Sequence, residues 1–182
     1  MAVTAGLSDT LTKTTVLEVL APVCGTVQST EYQGEITFMI DRSDLLEAAR
    51  ELRDNPRTAF DILTDITAID WFRRTNRYEV VYILFSLTRN ARICLKVALP
   101  EYDDPLCPSL TDVYEAANWF ERETFDMYGI TFDGHPDLRR FYMPEDFVEP
   151  ETGEALFPLR KDFPLMGVPG SLPMPDKFPT YR

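Results

Sequence analysis

Nine of the chain's fourteen prolines fall between Phe132 and Arg182, and this clustering limits how much of the sequence can form helices and strand ladders. Proline lacks the amide hydrogen that both structures use, and its ring fixes φ. No helical or strand period survives between these prolines, so residues 132–182 are expected to be extended and irregular. The segment nevertheless keeps Phe141, Tyr142, Met143, Phe147, Leu156, Phe157, Leu159, Phe163, Leu165, Met166 and Phe178. Disordered linkers are poor in such side chains, and a run of about fifty residues without regular structure is uncommon inside a compact domain. An apolar ribbon of this kind is expected to be ordered against another surface.

A chain of 182 residues has room for one sizeable core and not for a second full domain. The sequence is therefore divided into an α+β body, 1–131, and an extended C-terminal arm, 132–182, that docks on partners. From Leu7 to Leu20 a helical spacing runs through Leu11, Val16, Leu17 and Leu20 and stops at "APVCG". "EITFMI", Glu35 to Ile40, alternates as a strand, and "DRSDLLEAARELRDN" reads as a helix. Asp41 or Ser43 is its expected cap, Leu45, Leu46, Ala49 and Leu52 its apolar stripe, and Asn55-Pro56 its end.

Three strand-like segments follow. "FDILTDITAIDWF" alternates roughly, with at least one irregular step, while "YEVVYILFSL" and "RICLKVAL", separated by "TRNA", are expected to form an antiparallel hairpin. Ser109, three residues before Asp112, looks like a capping-box start. The helix it opens carries Val113, Ala116, Ala117, Phe120, Thr124 and Met127 on one face and stops near Tyr128, at Gly129. This order favours a two-layer α+β sandwich over a doubly wound sheet: a mixed, largely antiparallel sheet with helices on one face.

Thirty acidic against eighteen basic residues give a net charge of -12, which repels nucleic-acid phosphates and anionic head groups. No apolar run reaches the roughly 20 residues that span a bilayer. "MAVTAGLSDTLTKTT" lacks the basic start and apolar run of a signal peptide, so the chain is expected to stay where it is made. Cys24, Cys94 and Cys107 are odd in number and widely spaced, without a Cys-x-x-Cys. They support neither a disulfide framework nor a local iron-sulfur or zinc site, and read as small buried hydrophobes in a reducing cytoplasm.

The stretch with the densest charges is "ERETFDMYGITFDGHPDLRRFYMPEDF", Glu121 to Phe147. At 100 degrees per residue, Glu121 and Glu123 flank the apolar helix face on opposite sides, while Arg122 and Asp126 share the outer face as an i,i+4 pair. These charges are expected to be solvated or partner-facing. His135, the one histidine, precedes Pro136 and is expected to bond locally within a turn. No phosphate loop, Gly-x-Gly-x-x-Gly or Gly-x-Ser-x-Gly is present. "PLRKDFPL" reads either as an exposed turn or as a contact in which Arg160 forks to a partner's carboxylate. The competing catalytic reading is a stand-alone acidic enzyme, which requires Glu121, Glu123 and His135 to converge on one cleft.

The long stretch, with "FPLRKDFPL", resembles the signature of the C subunit of NADH-quinone oxidoreductase, the 30 kDa subunit family of respiratory complex I. Glu121, Arg122, Glu123, Asp126, Tyr128 and Gly129 match its Glu-Arg-Glu-x-x-Asp-aromatic-Gly core. Gly134, His135, Pro136, Leu138, Arg139 and Arg140 match a second segment, and Pro158, Leu159, Arg160, Lys161, Asp162, Phe163 and Pro164 a third. Weaker likeness reaches back to Asp61, and "VEPETGEALF" looks like a longer surface excursion.

The resemblance implies a scaffold component without catalytic residues, cofactor or metal of its own. It would sit in a complex that uses FMN, iron-sulfur clusters, NADH and quinone. It implies packing on the D subunit of complex I, with the B, I and G subunits nearby, at the cytoplasmic face of a bacterial inner membrane. The motif residues named above, from Glu121 to Pro164, would be partner-interface residues. The same motifs also fit the homologous component of a membrane-bound nickel-iron hydrogenase, a formate hydrogenlyase, or the ferredoxin-driven photosynthetic relative.

Overall fold

A computed structural model describes residues 12–73 and 75–164. The first helix, α1, Lys13–Leu20, is capped by Thr12, whose Oγ1 accepts the Thr15 amide at 3.2 Å. Leu7 and Leu11, as well as Leu165, Met166 and Phe178, lie outside the described residues. Strands β1, Val27–Tyr32, and β2, Glu35–Ile40, form a hairpin over Gln33-Gly34. Both turn residues have positive φ, 50° and 83°, as a two-residue turn matched to strand twist needs. Sequence patterning identifies β2 but not β1, whose residues VQSTEY are mostly polar and exposed and so carry no hydrophobic alternation.

Helix α2, Leu45–Asp54, starts after a single 3₁₀ turn, Arg42–Asp44, and buries Leu45, Ala48, Ala49 and Leu52. Neither Asp41 nor Ser43 caps it through a side chain; instead the Asp44 carboxylate accepts the Gly25 amide at 2.9 Å. Strand β3, Ile62–Asp70, shifts register between Leu63 and Asp65. That bulge switches the parity of the strand, so Leu63 joins Ile66, Ala68 and Asp70 on the buried face while Ile62 is left exposed. β4, Tyr78–Ser86, and β5, Ala91–Leu99, form the expected hairpin.

The sheet order is β1-β2-β5-β4-β3, antiparallel except where β2 runs parallel to β5. Phe38, Leu95, Tyr82 and Ile66 run across it as successive partners, and all are buried. Val16, Val19 and Leu20 of α1 join the α2 stripe in the same cluster, so the expected α+β layering is present. A short parallel pair, β6, Leu106–Pro108, and β7, Thr131–Asp133, brackets helix α3, Ala117–Tyr128.

The helix expected from Ser109 begins eight residues later, because residues 109–116 make a series of turns and the Ser109 hydroxyl is taken by another partner. At the other end Gly129, with φ 72°, stops it as expected. α3 lies along β3, the outermost strand, where Thr124 Oγ1 donates to the Ile66 carbonyl at 3.2 Å and helps cover a sheet edge. Among the described residues no helix is long and apolar enough to cross a membrane.

Candidate functional site, a set of buried clamps on the third helix

Three acidic side chains that the sequence places on or beside α3 and β3 are sealed from solvent, and each is held differently. Glu121 has no cation within bonding distance among the described residues. It accepts Ser109 Oγ at 2.7 Å and the Leu110 amide at 2.6 Å, and so fixes the turn that leads into α3. Burial pushes its carboxyl up to about 7, against the pull of these two donors. The Cys107 thiol, 3.2 Å from Tyr82 Oη, lies in the same interior, and burial lifts it to about 12. It is an inert core cysteine rather than a nucleophile.

Asp126 is fully buried one and a half turns further on. Its Oδ2 accepts three consecutive backbone amides, from Phe141, Tyr142 and Met143, at 3.0, 2.6 and 2.8 Å, and Oδ1 accepts Arg140 Nη1 at 3.0 Å. Burial pushes this carboxyl up, but the amides of Met143, Tyr142 and Phe141 and the Arg140 guanidinium outweigh it and hold the group below its usual range. Arg140 in turn donates to the Leu156 carbonyl at 3.1 Å and lies over the Phe157 ring at 5.3 Å.

Arg122, also buried, points its Nε and Nη2 at the carbonyls of Arg139 and Arg140, at 3.3 and 3.2 Å. The expected Arg122–Asp126 pair is therefore not made. The helix face that periodicity marks as outer is roofed by residues 139–143, and their backbone groups compete successfully for both charges.

Further along, the Gly129 stop is closed by Arg160, which donates to the Tyr128 carbonyl at 2.5 Å and stacks on Phe157 at 4.3 Å. A Cβ on Gly129, whose φ is 72°, would press on Arg160 Nη2 and stand 2.6 Å from Phe157, so a larger residue is strained here and must displace both side chains. Arg160 thus serves its own chain's carbonyls. The adjacent Leu159 amide donates to the Met127 carbonyl at 3.1 Å.

The last clamp ties the same segment to the sheet. Asp70, at the end of β3, takes Arg77 Nε and Nη2 at 3.0 and 2.8 Å and the Lys161 amide at 2.9 Å, while Arg77 also reaches Asp162 at 2.9 Å. Burial opposes ionisation of Asp70, yet the Arg77 guanidinium and the Lys161 and Phe72 amides keep its carboxyl below the usual range. Asp70 and Arg77 carry no motif signal of their own, and the sequence alone does not single them out. The one hint is a polar residue at a position where the β3 alternation calls for an apolar one.

His135 bonds within the turn at one nitrogen, as expected, its Nδ1 accepting the Asp137 amide at 3.0 Å; its Nε2 instead reaches α3, 3.1 Å from the Asn118 carbonyl. Glu123 lines a groove between α3 and β3, with Thr67, Met127 and Leu159. Glu121, Glu123 and His135 thus face three different surroundings rather than one cleft. Among the described residues no three His, Cys, Asp or Glu side chains are grouped as a metal site requires. What the clamps leave outside is aromatic: Trp119, 57% exposed, and Tyr142, 58% exposed, flank Phe141 with ring centroids 5.5 and 4.5 Å from it.

Comparison with known proteins bears on this arrangement directly. Residues 38–169 match the family model described as respiratory-chain NADH dehydrogenase, 30 Kd subunit. The chain belongs to this family. The NADH-quinone oxidoreductase C subunit of Rhodobacter capsulatus is 45% identical over 135 residues, covering 74% of this chain and 63% of that protein. The protein of the same name from Roseiflexus sp. (strain RS-1) is 45% identical, covering 75% of this chain and 74% of its own length. That of Nocardioides sp. is 44% identical over 83% of this chain and 60% of the relative.

The chain therefore spans less than two thirds of the length of the Rhodobacter and Nocardioides relatives. Among solved structures, a chain of the membrane-bound sulfane sulfur reductase, an archaeal respiratory membrane complex, superposes with a TM-score of 0.65 at 25% identity. The overlap covers 83% of this chain and 84% of that one. The 30 Kd family match includes every clamp residue from Asp70 to Asp162.

Proposed function

We propose that this chain is a non-catalytic structural component of the peripheral arm of a proton-translocating NADH:quinone oxidoreductase. It packs on the D subunit of that complex, lies near the B, I and G subunits, and supports electron transfer from NADH to quinone without carrying the electrons. FMN, iron-sulfur clusters, NADH and quinone belong to its partners, and the complex holds it at the cytoplasmic face of the membrane. The observation that carries this reading is the 45% identity to relatives named as the C subunit of NADH-quinone oxidoreductase.

The clamps support a refinement of which motif residues meet a partner. Glu121, Arg122, Asp126, Arg140 and Arg160 have their donors and acceptors engaged within the chain. Glu123, Tyr128, His135, Pro136, Arg139, Leu159, Lys161, Phe163 and Pro164 retain accessible surface and form the outward part of the motif, beside Trp119, Phe141 and Tyr142. An aromatic patch with a charged rim is the composition of a protein interface. Residues 132–182 then act as the docking arm, with residues 139–164 bound to the body along one side and presented along the other.

The similarity to a chain of the sulfane sulfur reductase favours one further reading, an equivalent place in a related membrane complex that takes electrons from another donor. Affinity capture of the intact tagged chain from host membranes in mild detergent, followed by mass identification, separates the two. Recovery of the D subunit together with NADH-oxidising subunits is expected. Recovery of hydrogenase or sulfur-reducing subunits would favour the second reading, and a solitary chain with stoichiometric flavin or iron would refute both.

A further inference from the structure

The connection between β3 and β4, Trp71 to Arg77, is tied down at both ends. The Trp71 amide donates to the Arg77 carbonyl at 2.9 Å, and Asp70, sealed beneath, accepts the Phe72 amide at 2.8 Å and Arg77 Nε and Nη2. Within this frame Phe72 has φ 53° and Asn76 φ 50°. For a bulky aromatic residue the left-handed region is a strained outlier, which persists only where its surroundings enforce it.

The strain does not serve to hide the ring. Phe72 is 54% exposed and Trp71 40%. Each exposed ring has a cation against one face: Arg73 lies 4.4 Å from the Trp71 centroid, and Arg77 lies 5.3 Å from Phe72 and 4.7 Å from Tyr102. The fold therefore holds two large aromatic side chains outward in fixed orientations, the opposite of what burial alone would select.

The same connection is cationic in an acidic protein. The chain carries a net charge of -12, yet residues 71–77 contain Arg73, Arg74 and Arg77 and no carboxylate. Lys161, whose backbone amide bonds to Asp70, is an exposed residue. The carboxylates held against it are Asp70 and Asp162, both already paired with Arg77 at 2.8 and 2.9 Å; Asp103 and Asp104 follow Tyr102 in sequence.

We propose that Trp71 and Phe72, at the start of the β3–β4 connection, are a preformed anchor that inserts into an apolar recess with an acidic rim on a neighbouring protein chain. Arg73, held on the Trp71 ring, presents its fork to a carboxylate of that rim. Tryptophan, tyrosine and arginine dominate the energetics of protein interfaces, and residues whose backbone is already tied, as Trp71 is to Arg77 and Phe72 to Asp70, lose little further freedom on docking. The charge of the whole body opposes nucleic acid and anionic lipid, whereas an acidic protein recess complements the local cations. The inference rests on the reading of this chain as one component of a larger complex.

The test uses the full chain in its host complex, with a photoreactive phenylalanine analogue at position 72 and the same group at Tyr32, an exposed residue of the β1–β2 hairpin, as control. Position 72 is expected to cross-link to a segment of one neighbouring chain that contains Asp or Glu, and position 32 not to reach that segment. Trp71→Ala is expected to lower recovery of that neighbour about tenfold or more while leaving the melting temperature of the isolated chain unchanged. Phe72→Gly relieves the positive φ, so a variant that is no less stable yet binds worse excludes misfolding as the cause.

Arg73→Glu is expected to reduce recovery further. Capture of the whole complex with no cross-link at position 72 and wild-type recovery of the variants overturns this inference alone. Binding of the wild-type chain to vesicles rich in phosphatidylglycerol, lost in Trp71→Ala, overturns it in favour of a membrane contact. Failure to capture any partner chain overturns it together with the proposed function.

Discussion

Replacing Glu121 with glutamine should stabilise this protein at alkaline pH, although it removes a side chain with two good hydrogen bonds. The carboxylate is fully buried, meets Ser109 Oγ at 2.7 Å and the Leu110 amide at 2.6 Å, and is lifted by burial from 4.5 to about 7. Between these values the native chain holds a proton that the unfolded chain has released. Linkage then makes stability fall as pH rises through that window. A shift of this size corresponds to at most about 3 kcal/mol between the low-pH and high-pH limits.

Glutamine has the same shape, can accept from Leu110 and donate to Ser109 Oγ, and does not titrate. In urea denaturation followed by tryptophan fluorescence, the variant should lie within about 1 kcal/mol of the parent near pH 5. It should exceed the parent by about 1–3 kcal/mol near pH 8.5. Taking the difference between the two proteins at each pH cancels the groups they share. A variant less stable than its parent at the alkaline end, or a difference that does not change with pH, would refute the reasoning.

The other clamps predict losses of different kinds. Asp126→Ala leaves Arg140 and three amides without their acceptor and should cost about 3–5 kcal/mol, seen in limited proteolysis as early cleavage within residues 141–163 while β4 and β5 keep their amide protection. Uniform unfolding of both regions would count against a local clamp. Gly129→Ala forces Arg160 and Phe157 aside in a left-handed position and should cost about 2 kcal/mol or more in thermal melts; added to Arg160→Ala, it should cost less than it does alone. Asp70 and Asp126 are both held below the usual carboxylate range, so their stabilisation is complete above the unfolded value and lost as pH falls through the folded one. Asp70→Asn should accordingly destabilise the protein at neutral pH and flatten the acid limb of its stability curve; an unchanged acid midpoint and slope would argue that Asp70 is not held in this way.

Much of this molecule can be read from its residues, and what cannot has identifiable physical causes. β2, β4, β5, the α2 stripe and the Gly129 stop follow from period and turn chemistry. β1 does not, because VQSTEY has no apolar alternation and gains its place by pairing with β2. Ile62 defeats the alternation of β3, since one bulge reverses every assignment before it.

The largest gap concerns α3. A helical wheel can find its outer face but cannot find the roof over it, which comes from residues 139–143 by way of an irregular chain reversal with no sequence period. Charges assigned to solvent or a partner, Glu121, Arg122 and Asp126, are for that reason interior. The motif residues themselves are legible, as is their grouping. Which of them bond inward is not, because that depends on contacts such as the one between Asp70 and Lys161, which are 91 residues apart.

That separation also orders events during synthesis. Strand β5 ends at Leu99, and the hairpins of the sheet can close as soon as they leave the ribosome, because their partners are near neighbours in the chain. Asp126 must wait for residues 140–143, and Asp70 for Lys161. Until then the nascent chain displays Asp126 without its amides, Asp70 without its Lys161 contact, and an uncovered helix, features that a completed chain has sealed. A ribosome stalled before Arg140 would release a body with its sheet in place and these charges exposed. Chaperones and proteases that patrol for such surfaces could then tell an unfinished copy from a finished one before it enters an assembly.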